Sequence, residues 1–538
     1  MILPPGVKQG EFDRALSEFA AVVGRDWVFS SDSDVAMYDD SFSPFSAEPE
    51  LQRHASAAVA PDTVEQVQSI VRIANRYKAP LYAISTGRNL GYGGSAPVYS
   101  GSVVVDLKRM NRILEVNAVE GYMVVEPGVS FLDLRRYLDE RNLPFMCSTP
   151  EPGWGSPVGN ALDHGCSNVV GDNFGMVNGI EVVLPNGEVL RTGMGAVPTS
   201  KLWHNYRYGF GPVIDGMFSQ SNFGIVTKAG FWLIRWPEVQ QSFAATSAKH
   251  DDLHAMVEAI QRMREQGLIF MSGCASPIRQ AMSTNNGHIA EDIPEVNRLL
   301  ARRDGGSPAE WEKLGAERNI PVSSVFGTVR GPDVVAKAVL AHARDVFGKI
   351  PGVTVHDTPA YRFPLNVADI DENRKSGLGF PQLWAFSQPA VQGTSFGHYY
   401  FSPMMKATAA DVFAVNDTMR NVMIDAGDLD MLYHFGFSGG IGFYPRAYMI
   451  LLEVLIRDDA ALNRKRRDLF VRLAQTCGAN GWAEYRAPPA FQDTVMAQYS
   501  FNDHVLRRFH ETVKDALDPN GVIAPGKSGI WPKSLRKT

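Results

Sequence analysis

An α+β fold divided between two large domains or three smaller ones is what the sequence predicts, and three observations predict it. The chain has 538 residues, too many to gather around one hydrophobic core. Over roughly the first 235 of them, short strand-like and helix-like segments mix around a single glycine-rich loop. After Pro237 the glycine punctuation thins and a helix-like segment, DDLHAMVEAIQRMREQG, opens a different region. A domain boundary is therefore expected near 236, giving a first domain over 1–236.

The elements follow in order. EFDRALSEFAAVVG reads as a charged helix. APDTVEQVQSIVRIANRYK predicts a second helix with Asp62 as N-cap and Glu65 completing a capping box, and Val64, Val67, Ile70, Val71 and Ala74 form its apolar stripe. PLYAIS is a short strand running straight into the glycine loop, and SGSVVVDL and YMVVEPGVS are rich in β-formers. A helix follows near FLDLRRYLDERNL, then a hairpin in GIEVVLPNGEVLRTG, where Asn186-Gly187 suits a tight turn. The strand-like FWLIRW closes this region. From Ala281 to Pro321 the chain is polar and reads as surface helices and loops. LDMLYHFGFSGGIGF and AYMILLEVLI read as strands of a second sheet. SFNDHVLRRFHETVKDAL predicts a helix with Val505, Phe509 and Val513 on one face, stopped by Asp518-Pro519.

Composition narrows the function. With 45% apolar residues, 20% charged residues and a net charge of -6, the chain is an ordinary globular protein without a basic face, and nucleic acid is not an expected partner. Cys147, Cys166, Cys274 and Cys477 lie far apart, which suggests neither a zinc site nor a disulfide framework and fits a reducing compartment. No metal is expected, and no G-x-S-x-G elbow appears. The N-terminus shows no export signal, and the most apolar run, Ala447 to Ile456, is broken by Glu453 and falls short of the roughly 18 residues of a membrane span. A cytoplasmic protein that does not cross a membrane is the expectation.

The glycine loop Ser85-Thr-Gly-Arg-Asn-Leu-Gly-Tyr-Gly-Gly94 carries four glycines in eight residues, freeing a run of N–H groups to wrap a phosphate. It matches neither G-x-G-x-x-G nor G-x-x-x-x-G-K-[ST], and it holds an aromatic hydroxyl, Tyr92. A literal Walker match does occur from Gly521 to Ser528, but a helix and a D-P-N-G turn precede it and Gly-Ile-Trp-Pro follows. A P-loop needs a strand before and a helix after, so an ATPase or kinase is rejected. Contact of Lys527 with a phosphate or a flavin carbonyl remains open.

The motifs GRNLGYGG at 87–94, VVEPGV at 124–129, NGEVLRTGMGA at 186–196, FGPVIDGMFSQSNFGIVTK at 210–228, HYYFSP at 398–403, GWAEYR at 481–486 and DPNGVIAPGKSGIWP at 518–532 stand in that order. Together they resemble, nearly end to end, the flavoprotein oxidases and hydroxylases of 4-substituted phenols. That family is of the vanillyl-alcohol oxidase type and includes eugenol oxidase and the flavoprotein subunit of p-cresol methylhydroxylase. The resemblance implies the two-domain FAD-binding fold of the p-cresol methylhydroxylase type, with an α+β cap domain over 237–483 and a return of 484–538 to the FAD domain. It implies FAD as cofactor, contacted by Gly87, Arg88, Asn89, Gly91, Gly93, Gly94, Gly155, Gly159, Asn160, Ile225, Val226 and Lys527.

Tyr92, Tyr485 and Arg486 fall on the positions that clamp the phenol oxygen in the family. A phenol titrates near pH 10 in water, and a guanidinium with two hydroxyl donors would favour its phenolate. A phenolate releases hydride from its para benzylic carbon more readily, because the product is a neutral quinone methide. A surface Tyr-Arg pair is the plain alternative. His398 matches the position bonded covalently to the flavin 8α-carbon in histidyl-linked members. An ordinary loop histidine is its alternative, and Tyr399 and Tyr400 adjoin it where other relatives link through tyrosine. Tyr400 is a candidate for the substrate pocket. Asp172 matches an acidic residue near the flavin's reactive nitrogen, with roles in stabilising a cationic group, in attachment or in activating water; a Gly-Asp turn residue is the plain alternative, and Asn168-Val169-Val170 before it depart from the aromatic-rich family pattern.

The expected activity is thus FAD-dependent oxidation of 4-alkylphenols, 4-hydroxybenzyl alcohols and eugenol-like compounds. Molecular oxygen would be reduced to hydrogen peroxide. A cytochrome-linked hydroxylase is the alternative among enzymes, and a non-catalytic flavin-binding subunit the alternative from another class. An octamer-forming member of the family carries a long insertion where this chain has only a short connection from Met194 to Tyr208, so the resemblance implies a homodimer.

Overall fold

Phe12, Ala15, Phe19 and Val23 recur at helical spacing and are all buried, which fixes Gln9–Val23 as α1. In this computed structural model, which describes residues 2–280, 293–383, 397–435 and 439–536, α1 packs against α2, Val64–Tyr77. The N-cap of α2 is Thr63 and not Asp62. Thr63 Oγ1 accepts from the Gln66 N–H at 3.3 Å, whereas Asp62 turns its own N–H to Gln66 Oε1 at 2.6 Å.

Both helices cover a sheet of β1 (Val28–Phe29), β2 (Ala57–Val59), β3 (Leu81–Ile84) and β4 (Val103–Asp106), in the order β1-β2-β4-β3. Pairing of β4 with β2 and β3 is parallel, and the unbroken Val103-Val104-Val105 run suits a strand covered on both faces. The free edge of β3 is closed by the C-terminal segment. Leu81 N–H donates to Val522 O and Ala524 N–H to Leu81 O, both at 2.7 Å.

A second, antiparallel sheet is built from β5 (Ile113–Asn117), β6 (Tyr122–Val125) and three later strands. Between them lie α3 (Phe131–Glu140), started by a Ser130/Asp133 capping box, α4 (Pro157–Leu162), and a small hairpin of β7 (Cys166–Ser167) and β8 (Gly171–Asp172). The later strands are β9 (Val177–Val183), β10 (Val189–Arg191) and β11 (Ile225–Trp232), and the order is β10-β9-β11-β6-β5. The expected Asn186-Gly187 turn joins β9 to β10, with Gly187 at φ 84°.

From Val239 onward the residues feed another core. An eight-stranded sheet contains β12 (Val239–Ser247), β13 (Met271–Ala275), β14 (Ser323–Gly331), β15 (Thr354–Asp357), β17 (Met404–Lys406), β18 (Gly439–Tyr444) and β19 (Ala447–Met449), ordered β15-β12-β14-β13-β18-β19-β17, and the eighth strand, Tyr361–Arg362, pairs with β12 beside that path. A separate pair joins β16 (His398–Phe401) to β20 (Leu452–Leu455). Phe243, Cys274, Val325 and Val329 face one way, into a core with α5 (Asp252–Glu265), α6 (Asp333–Gly348) and α7 (Ala409–Ala426). Their neighbours along the strands, among them Ala244, Met271, Ala275, Ser324 and Phe326, face the other way, and these line cavities.

Three expectations need correction. Leu429–Phe435 is helical (α8) and not a strand, because the Asp428 carboxylate accepts from the Met431 N–H and starts a helix; the strand begins only at Gly439. The stretch before Pro321 is not only surface, since Trp311 in the helix Pro308–Arg318 is fully buried and Leu299 and Leu300 join the core; residues 281–292 lie outside the described part. In α10 (Phe501–Leu517), which follows α9 (Ala460–Ala479), Phe509 is 61% exposed and only Val513 of the expected face packs inward. Among the described residues no helix is long and apolar enough to cross a membrane.

Candidate functional site

A cavity of about 960 Å³ runs from the end of β3 to the open face of the large sheet. The loop after β3 lines it with Gly87, Arg88, Asn89, Tyr92 and Gly94, and the segment through α4 adds Gly155, Gly159 and Asn160. Ile225 and Val226 of β11, His398 and Tyr400 of β16, Tyr485, Arg486 and Lys527 complete the residues expected from sequence that reach it.

Glycine is needed where the walls touch. A Cβ at Gly159 would sit 2.2 Å from Ser85 Oγ, and one at Gly87 2.2 Å from Ser95 Oγ. Gly91 and Gly93 do not line the cavity. Gly91, at φ 78°, leaves room for the Tyr400 ring, 2.7 Å from where a Cβ would stand, and Gly93 leaves room for Pro489. These two glycines seat the loop against other segments.

At the inner end, Arg486 lies over the Tyr92 ring, 4.0 Å from its centroid, and the Tyr400 ring stacks with Tyr92 at 5.0 Å between centroids. The Tyr92 hydroxyl stands 3.4 Å from Ser402 Oγ and lies near the Tyr485 hydroxyl, which also approaches the Cys166 thiol. Burial pushes both tyrosines well above their usual range, so they remain protonated donors.

Asp163, which sequence reading missed, anchors this corner. Its Oδ2 accepts from Arg486 Nε at 2.8 Å and Asn89 Nδ2 at 2.9 Å, and its Oδ1 from Lys527 Nζ at 3.1 Å. Burial alone would raise its pKa, but Lys527 and Arg486 outweigh burial and hold the carboxyl below the usual range. Burial works against the charge of Arg486 and Lys527 as well, and Asp163 reverses it. Two cations thus face one carboxylate, and the excess charge is positive. A second missed acid, Glu484 inside GWAEYR, accepts from the backbone of Ser402 and Arg486. Burial raises its pKa, opposed by those two backbone donors and the charge of Arg486.

His398 is 5% exposed between Phe42 and Tyr400, and its Nδ1 has no hydrogen-bond partner among the described residues. Burial lowers its pKa to about 4, leaving a neutral imidazole with a free lone pair. Asp172 stands apart. It pairs across the small hairpin with Cys166, is half-buried, and does not line the cavity; its charge is felt by His164 and Tyr444. Among the described residues no cluster suits a metal ion.

The residues present fit a flavin dinucleotide: a long cavity, close-packed glycine walls, an excess of positive charge at one end and an unpartnered buried imidazole. Comparison with known proteins agrees. A family model described as an FAD binding domain matches residues 55–193. The chain is 34% identical to the 4-cresol dehydrogenase [hydroxylating] flavoprotein subunit of Pseudomonas putida, covering 98% of each chain. It is 36% identical to 1'-carboxy-chondrochloren decarboxylase of Chondromyces crocatus, over 97% of this chain and 98% of the relative. Among solved structures, 4-ethylphenol oxidase from Gulosibacter chungangensis in an isoeugenol complex superposes with a TM-score of 0.83 at 32% identity, covering 99% of this chain and 100% of that one.

Proposed function

Since the chain belongs to the 4-phenol-oxidising FAD family, an oxidoreductase family with the p-cresol methylhydroxylase-type fold, we propose that it oxidises para-substituted phenols at the benzylic carbon. One observation carries the reading: Tyr92, Tyr485 and Arg486 converge on one corner of the cavity, with both hydroxyls protonated and the guanidinium charged.

FAD, when bound, supplies the hydride acceptor. The chain's own groups prepare the substrate. Two hydroxyl donors and a guanidinium favour the phenolate over the phenol. Deprotonation pushes electron density through the ring to the para position, so loss of hydride leaves an uncharged quinone methide. Met271, Phe443 and Met449, an apolar cluster that also touches Tyr485, keep water from the ring. Water would then add to the quinone methide, or a proton would be lost. Asp163 keeps Arg486 charged and aimed, and Lys527 would meet the polar edge of the flavin. Neutral His398 is suited to the covalent bond with the flavin 8α-carbon. Asp172 would act by positioning, through the hairpin that holds Cys166 beside Tyr485.

Anaerobic stopped-flow mixing with 4-ethylphenol tests the reading: the flavin absorbance should bleach, and admission of air should restore it with release of hydrogen peroxide. Restoration by a cytochrome and not by air would favour the second reading, a dehydrogenase that passes electrons to a partner protein. The name of the Pseudomonas relative, a flavoprotein subunit, supports that alternative.

A further inference from the structure

A second cavity of about 230 Å³ adjoins the first, sharing Asn168, Met271 and Phe326 as its wall. It lies on the face of the large sheet turned away from the helices, over β12 and β14. Register sets this face: Met271 stands opposite Thr328, and Thr328 opposite Ser242, so these side chains project together. Its lining is unlike the apolar cluster around Tyr485. Gln240, Ser242, Thr328, Asn373 and Arg374 supply amides, hydroxyls and one guanidinium, with Asn168 at the entrance.

Ser242 Oγ and Thr328 Oγ1 bond to each other at 2.9 Å and Asn168 Nδ2 donates to Ser376 Oγ at 3.3 Å, whereas Gln240 and Arg374 keep hydrogen-bonding capacity to spare. Gln240 is 6% exposed, and its Nε2 donates to Gly377 O at 3.0 Å, yet its Oε1 meets no hydrogen-bond partner among the described residues. A buried amide oxygen left so bears its desolvation uncompensated unless something donates to it. Arg374 is the one charged group among the described residues lining the cavity, and it meets only a loose contact with Asp371 at 3.7 Å. A ligand that suits the pair must offer a donor to Gln240 and an acceptor to Arg374. A carboxamide offers both.

Resting on the phenol-oxidising reading, we propose that this second cavity is a subsite for a carboxamide at the far end of a long para substituent. The ring would sit at Tyr92, Tyr485 and Arg486, and the chain would pass Met271 and Phe326 to reach Gln240 and Arg374. From β18, beside the ring, to β12 is three strand spacings, so the para chain spans roughly 10–15 Å. Phe326, 37% exposed and lying over Gly273, forms the threshold between the two chambers.

The test compares three substrates of the holoenzyme: 4-ethylphenol, an alkylphenol long enough to reach Gln240, and the ω-(4-hydroxyphenyl)alkanamide of the same length. The alkanamide should show a KM about tenfold below that of the alkylphenol. Arg374→Gln, at an exposed position of the short helix Glu372–Lys375, and Gln240→Met, close in volume, should each abolish that advantage and leave the KM for 4-ethylphenol unchanged. Equal KM values for the alkanamide and the alkylphenol would overturn the subsite alone. An equal rise for all three substrates in both variants would also overturn it. Failure of every phenol to bleach the flavin would overturn the phenol reading, and the subsite with it.

Discussion

The carboxylate of Asp163 and the guanidinium of Arg486 meet at 2.8 Å although 323 residues separate them, with side chains 15% and 9% exposed. Removing one partner of such a pair leaves the other charge buried and uncompensated. Asp163→Asn should therefore lower stability by about 3 kcal/mol, read as a fall in the urea midpoint. The pH dependence follows from the depressed pKa of Asp163. Its contribution is full above the unfolded carboxylate value near pH 4 and is lost as pH falls through the lower folded value. The variant should lose that acid-side slope, and an unchanged slope would refute the assignment.

Tyr92→Phe and Tyr485→Phe each delete one hydroxyl of the proposed phenolate clamp. Each should cut kcat/KM for 4-ethylphenol by about tenfold to a hundredfold. Arg486→Lys should cost at least as much, because an ammonium cannot hold Asp163 and Asn89 and lie over Tyr92 at once. Steady-state kinetics at fixed pH decides.

His398→Ala should release the flavin. Acid precipitation of the unmodified protein should leave a yellow pellet, and of the variant a yellow supernatant; colour in the supernatant of both would dismiss covalent attachment. The buried imidazole also has a pH signature. Its folded pKa of about 4 lies below the unfolded value near 6.5, so its contribution to stability is complete above pH 6.5 and is lost as pH falls towards 4.

Gly91→Ala places a methyl group against the Tyr400 ring and forces φ 78° on an L-residue. The backbone alone costs about 1–2 kcal/mol. The thermal midpoint should fall and flavin occupancy with it, while Gly121→Ala, at φ 75° with nothing within 4 Å, should show the backbone cost without loss of flavin.

What sequence made legible was local. The capped helix α2 lies one residue from its expected start, the Asn186-Gly187 hairpin stands as expected, and the glycine loop does line the cavity. These features are written in neighbouring residues, through periodicity, turn chemistry and capping. Tyr92, Tyr485, Arg486, His398 and Lys527 came from ordered motifs, and they converge. Asp163 was invisible because its partners Arg486 and Lys527 lie 323 and 364 residues away, and nothing in Ala-Leu-Asp-His announces a buried anion. Gly91 and Gly93 looked like phosphate glycines because sequence shows the missing side chain and not the Tyr400 and Pro489 that fill its place. The chamber around Gln240 depends on strand register, which only the folded sheet displays.

The closure of β3 by Val522 and Ala524 also imposes an order in time. A ribosome makes Leu81 some 440 residues before its strand partner, and Arg486 and Lys527 emerge far behind the loop they serve. A nascent chain stalled before residue 522 would carry the glycine loop beside an open sheet edge, with Asp163 lacking Lys527. The β3 edge and the second cation on Asp163 are therefore completed only once synthesis has passed residue 527.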